Sequence, residues 1–145
     1  MIRVVLLLVT LTLEASVFIK NLKNSETKKL ESLISGKSLT IIFQPNCSAC
    51  KHQVQSLSCI KEDIKILLLG AFSNEKKLLK EYQKFKVNYP SFYASKDILK
   101  KLKITSSATP QIIYFNNQRA TKHIGYKSCI NLQSFIEKTK QQNTI

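Results

Sequence analysis

Two cysteines separated by two residues, in Cys47-Ser48-Ala49-Cys50, stand where a β-branched apolar run, Leu39-Thr40-Ile41-Ile42-Phe43, gives way to helical spacing. Gln44-Pro45-Asn46 cannot continue a central strand, because proline brings no N–H to the ladder. From Cys47 to about Ser58 the apolar positions Ala49, Val54 and Leu57 fall among Lys51, His52, Gln53 and Gln55, which is consistent with a helix. The cysteine pair thus opens a helix at the end of a buried strand. Further along, Thr109-Pro110 introduces the apolar run Gln111-Ile112-Ile113-Tyr114-Phe115. Asn116-Asn117 supplies a turn there, and Arg119 to Gly125 returns as a second strand.

The intervening and flanking segments alternate in the same way. Ser25 to Ser35 puts Leu30, Leu33 and Ile34 on one stripe, with Ser25 as cap and Gly36 as stop, and this predicts a first helix. Ile64 to Leu69 is a second apolar strand. Asn74 to Lys86 then carries Leu78, Leu79, Tyr82 and Phe85 as an amphipathic stripe among lysines. Tyr89 to Tyr93 is extended, Asp97 to Leu102 is a short helix ending near Ile104, and Leu132, Phe135 and Ile136 mark a last helix. The expected class is α/β, with no internal repeat, low-complexity tract or linker.

Bulk properties bound the partners. A chain of 145 residues with 43% hydrophobic content fits one compact domain with a core. Arg3 and the apolar run Val4 to Leu13, followed by Glu14-Ala15-Ser16, read as a secretory signal over residues 1–15, leaving 16–145 as the domain. The run is too short to span a bilayer, and a buried N-terminal element or an uncleaved anchor is the alternative. Removing residues 1–15 takes away one basic and one acidic side chain and leaves the net charge at +14. That charge suits anionic membrane surfaces. Its source is almost wholly lysine, with Arg3 and Arg119 the two arginines, which argues against nucleic acid as a partner. The lysines from Lys76 to Lys86 are read as a solvated helix face.

Disulfide exchange needs a thiolate to attack and a second thiol to resolve the mixed disulfide, and two intervening residues satisfy both demands. At a helix start, unpaired backbone N–H groups and the macrodipole stabilise the thiolate of the first cysteine. Cys47 is therefore the expected nucleophile and Cys50 the resolving thiol. Half-zinc sites and structural bridges share the motif, so context decides. In this setting the sequence resembles the thioredoxin superfamily, and in particular the exported TlpA-like thiol-disulfide oxidoreductases, from about Ser38 to Lys140. The carriers are Phe43 to Cys50, the strand-helix unit Ile64 to Val87, Tyr89-Pro90, Ala108-Thr109-Pro110 and Gly125.

The resemblance implies a thioredoxin-like fold, a central mixed sheet flanked by helices with a TlpA-like strand-helix insertion before a cis-proline. It also implies that Pro110 is cis, that Thr109 lies beside the disulfide and binds a substrate strand, and that no metal is held. Protein thiol or disulfide substrates, a redox partner protein, no cofactor, a monomer and a periplasmic or otherwise exported location follow. Three departures stand out: Asn46 replaces the usual tryptophan, Ile41 a buried aspartate, and Gln53 a glutamate of the TlpA-like pattern. A proton relay to Cys50 must then use water, His52 or Lys51; the alternative is slower exchange than in typical relatives.

Four cysteines permit two bridges in an exported chain. Cys59 and Cys129 can form a structural disulfide, but the expected fold sets them near opposite ends, and bridging needs Cα atoms within roughly 7 Å. Two separate thiols are the alternative. Lys51 occupies the position a haem-attachment motif gives to histidine, and His123 is read as a surface or edge residue. The competing functions are a non-catalytic thioredoxin-fold module stapled by both cysteine pairs, and copper or zinc handling.

Overall fold

The apolar run Leu39 to Phe43 becomes the middle of β3 (Lys37–Phe43), a strand flanked on both sides and buried from Ser38 onward. A computed structural model describes residues 16–60, 63–117 and 119–141, so the proposed signal at 1–15 lies outside the described residues. In chain order the elements are β1 (Phe18–Asn21), β2 (Thr27–Lys29), α1 (Leu30–Leu33), β3, α2 (Ser48–Ser56) and a 3-10 turn (Leu57–Cys59). Then come β4 (Lys65–Gly70), α3 (Glu75–Phe85), β5 (Ser91–Tyr93), α4 (Lys96–Lys101), β6 (Gln111–Asn116), β7 (Arg119–Ile124) and α5 (Cys129–Gln141). The sheet has seven strands in the order β2-β1-β5-β4-β3-β6-β7. It is mixed: β3, β4 and β5 run parallel, while β6 and β7 on one side and β1 and β2 on the other pair antiparallel.

Strand periodicity divides the core into two layers. Leu39, Ile41 and Phe43 face α2, α3 and α5, packing with Val54, Leu78, Phe85, Leu132 and Ile136. Phe85 meets the Phe43 ring edge-on at 5.1 Å. Ile42, with Leu67, Leu69 and Ile113, faces α1 and α4 through Leu30, Ile98 and Leu102. Gly70 ends β4 where a Cβ would lie 3.0 Å from both Leu78 and Phe43, so a side chain there would make these two neighbours give by a few tenths of an ångström. Asn74 caps α3 by accepting from Lys77 N at 2.9 Å. The strand-helix unit read from Ile64 to Val87 is present as β4 followed by α3, ahead of the cis-proline.

The first helix is corrected. Thr27–Lys29 pairs antiparallel with Phe18–Lys20, and the predicted stripe is compressed into the single turn Leu30–Leu33. Ser25 caps nothing; it takes φ 61° in the tight turn between β1 and β2. The Asn21 side chain holds that turn by accepting from Lys23 N and Asn24 N. A helix this short is marginal on its own, and pairing with β1 takes Thr27–Lys29 into the sheet, so tertiary pairing overrides the local pattern.

Candidate active site

Phe43 is the last residue of β3, and Gln44-Pro45-Asn46 turns the chain into α2, with Asn46 at φ 59°. Cys47 is the N-cap of α2, its Sγ accepting from Cys50 N at 3.1 Å. The sulfur thus takes the place a serine or aspartate oxygen usually holds at a helix start, against N–H groups that have no partner within the helix. Cys47 and Cys50 are joined as a disulfide with Cα atoms 5.2 Å apart. Cys50 is fully buried in the core beneath α2, whereas Cys47 is half-buried at its edge. An incoming sulfur therefore reaches Cys47 first.

The second wall is the loop before β6. The Thr109-Pro110 peptide is cis, Thr109 O lies 3.7 Å from Cys47 Sγ, and the Thr109 hydroxyl donates to that sulfur at 3.5 Å. Gln111 braces the loop from inside, its Nε2 donating to Ser106 O at 2.7 Å and Ala108 O at 2.9 Å. Gly125, at φ 103°, ends β7 and donates its N–H to Pro110 O at 2.8 Å, so β7 supports the proline from the far side. Thr109 and Pro110 thus come together with the Cys47–Cys50 pair from a position 62 residues away in sequence.

Cys59 and Cys129 also come together, with Cα atoms 6.1 Å apart in a disulfide. The expectation that they stand near opposite ends is corrected: α2 and α5 share one face of the sheet, and the 3-10 turn after α2 reaches the start of α5. Gln53 explains part of that closeness. It is fully buried, and its amide clasps Lys127, accepting from the backbone N at 2.7 Å and donating to the backbone O at 3.2 Å. Gln133 adds a donor to Cys59 O at 3.2 Å. Where the resemblance suggests a glutamate, this chain has an amide committed to joining two helices.

Ile41 is fully buried, and neither it nor Gln53 can accept a proton. Lys51 and His52 lie exposed on α2. His123 lies on β7 against the Phe135 ring, 6.4 Å between centroids, with Lys127 Nζ 5.5 Å from the same ring. Burial first, and the Lys127 charge second, hold its pKa below the ordinary 6.5. Lys122, also on β7, donates to the carbonyls of Leu102 and Lys103; burial and then Lys103 lower its pKa. No helix among the described residues is long and apolar enough to cross a membrane.

Sequence reasoning missed Gln44 as part of the site, treating it only as the end of a strand. Its Nε2 donates to Thr109 Oγ1 at 2.7 Å and to Ser107 O at 3.2 Å. A polar side chain directly after a buried strand and three residues before Cys47 was the available signal.

No family model matches the sequence, and no curated protein matches it either. Solved structures do. The DsbF protein of MTB, solved in mixed oxidised and reduced forms, superposes with a TM-score of 0.70 at 13% identity, covering 85% of this chain and 94% of that one. A secreted Mycobacterium tuberculosis disulfide oxidoreductase homologous to E. coli DsbE gives 0.68 at 11% identity, covering 85% and 96%. A thioredoxin-related protein from Neisseria meningitidis serogroup B gives 0.69 at 12% identity, covering 85% and 98%. With a mixed sheet, a Cys-x-x-Cys pair opening α2 and a cis-proline facing it, the chain has the thioredoxin-like fold of these structures.

Proposed function

We propose that this chain is an exported thiol-disulfide oxidoreductase that exchanges disulfides with protein substrates through Cys47 and Cys50. The observation that carries this reading is the placement of Cys47 Sγ at the N-terminus of α2, 3.7 Å from Thr109 O across the cis peptide. A nucleophile needs an anionic sulfur at a surface a partner can reach, and a substrate strand needs backbone to pair with; this edge offers both.

In the reducing direction the Cys47 thiolate attacks one sulfur of a substrate disulfide, forming a Cys47–substrate bond and releasing the other substrate sulfur as a thiolate. The Cys50 thiolate then attacks Cys47 Sγ, which releases the second substrate thiolate and closes the Cys47–Cys50 disulfide. Two electrons pass to the substrate, and its thiolates take up protons from water. Oxidation of a dithiol is the same path reversed, and the reduction potential decides which prevails. A separate redox partner protein completes either cycle. In this reading Thr109 and Pro110 form the substrate-binding edge, and the Cys59–Cys129 bridge is structural.

Export draws on the signal-like residues 1–15 and on four cysteines paired as disulfides, which persist outside a reducing cytosol. One of the superposable structures is itself described as secreted. A location in the periplasm or beyond suits these features, and the +14 charge suits contact with anionic membrane surfaces.

A second reading, a non-catalytic module stapled by two disulfides, is favoured by the lack of an ionisable group at positions 41 and 53. Insulin reduction separates the two. The enzyme reading expects turnover that Cys47→Ser abolishes; no Cys47-dependent turnover with any thiol reductant leaves the staple reading. The glutathione equilibrium of the pair then gives direction: a potential near about −120 mV marks an oxidant and one near about −270 mV a reductant.

A further inference from the structure

Gln44 leaves β3 directly after Phe43, and its half-buried side chain turns to the cis-proline loop. The two contacts of its amide settle which atom points where. Ser107 O, 3.2 Å away, can only accept, so the end of the amide that faces it is the nitrogen. The same NH2 group lies 2.7 Å from Thr109 Oγ1, and that oxygen must accept its second hydrogen. A hydroxyl that accepts in this way still has one hydrogen to donate, and Cys47 Sγ, 3.5 Å away, is the acceptor it meets.

We propose that Gln44 is a positioning residue for the Cys47–Cys50 couple: by occupying a lone pair of Thr109 Oγ1, it aims the hydroxyl proton at Cys47 Sγ. The inference rests on the redox reading of the site and deepens it. A disulfide sulfur is a weak acceptor and a thiolate a strong one, so the aimed hydroxyl stabilises the reduced, anionic state more than the oxidised one. Stabilising the reduced state makes a couple more oxidising. Gln44 touches neither sulfur; it acts through Thr109.

The test is the equilibrium of the Cys47–Cys50 pair with glutathione, read by alkylation and mass analysis of the peptide carrying Cys47, so that the second bridge does not contribute. Gln44→Leu keeps bulk and removes the donor. It is expected to shift the equilibrium toward the disulfide by about tenfold, or about 30 mV for a two-electron couple. Gln44→Glu, which can only accept, pulls the hydroxyl proton away from sulfur and is expected to shift it further in the same direction. It also serves if the leucine variant fails to fold. Thr109→Val should match or exceed Gln44→Leu, and adding Gln44→Leu to Thr109→Val should change the equilibrium by less than about twofold.

Folded Gln44 variants that leave the equilibrium unchanged overturn the proposal. So does full additivity of Gln44→Leu with Thr109→Val. The measurement needs only reaction with a small disulfide. A chain that shows this coupling but reduces no insulin keeps the inference and loses the enzyme reading, and turnover without the coupling does the reverse.

Discussion

The two disulfides sit at opposite ends of one helical segment and do different physical work. Cys47–Cys50 joins residues three apart at the N-terminus of α2, with one sulfur buried and the other at an edge facing the cis-proline loop. Cys59–Cys129 joins residues 70 apart, tying the 3-10 turn after α2 to the start of α5. In the chain-entropy picture the long loop removes about 4 kcal/mol of unfolded-state freedom and the short one about 2 kcal/mol. A bridge that costs little to open suits a cycling pair, and one that constrains half the chain suits a staple. Between them Gln53 clasps Lys127, so α2 is anchored along its length while its first turn meets the proline loop.

The sharpest way to break this contrast is to remove each pair in turn. Cys47→Ser is expected to lower insulin reduction by at least about a thousandfold, the range seen when a covalent nucleophile is lost. The Cys59→Ser/Cys129→Ser double variant should keep the rate within about threefold. Comparable loss from both would make the second pair part of the exchange chemistry. Stability should rank them the other way. Urea unfolding of the Cys59→Ser/Cys129→Ser protein is expected to show a loss of about 4 kcal/mol, and the corresponding Cys47→Ser/Cys50→Ser protein a loss nearer 2 kcal/mol. Equal losses would mean that loop length does not govern the difference.

Gln53→Leu probes the ground between the pairs. It leaves the half-buried Lys127 N–H without its acceptor, and a loss of about 1 kcal/mol in urea is expected; an unchanged midpoint would show that the clasp carries no net stability. The smallest effect concerns His123, which lies against Phe135 of α5, the helix that begins at Cys129. Its pKa is lowered in the folded protein, so near pH 6 the unfolded chain binds more protons than the native one, and stability falls as pH drops through 6.5. His123→Asn should flatten that part of the stability profile, and an unaltered slope in the variant would rule out the histidine as its source.

Much of the site was legible because its signals are local. A strand ending in Gln-Pro-Asn, cysteines at helix spacing and a proline opening a hairpin each declare themselves within a few residues, and β3, α2, β6 and β7 lie close to where periodicity sets them. α3 was equally readable, since Leu78 and Phe85 repeat at helical intervals and both are buried. The N-terminal region was not. Thr27–Lys29 carries no alternation that marks a strand, and it is an edge strand whose pairing depends on β1, itself held by β5 from far along the chain.

From the order of its residues alone, the chain determined a buried strand, a cysteine pair at the start of a helix, and a proline before a hairpin, because hydrophobic period and backbone stiffness act between near neighbours. Tertiary structure decided that Cys59 meets Cys129, that Gln53 joins α2 to α5, and that Gln44 reaches the hydroxyl beside Cys47. Those contacts depend on which face of the sheet each helix covers and how closely it packs. Residues more than sixty positions apart leave no periodic trace of such a meeting in the sequence.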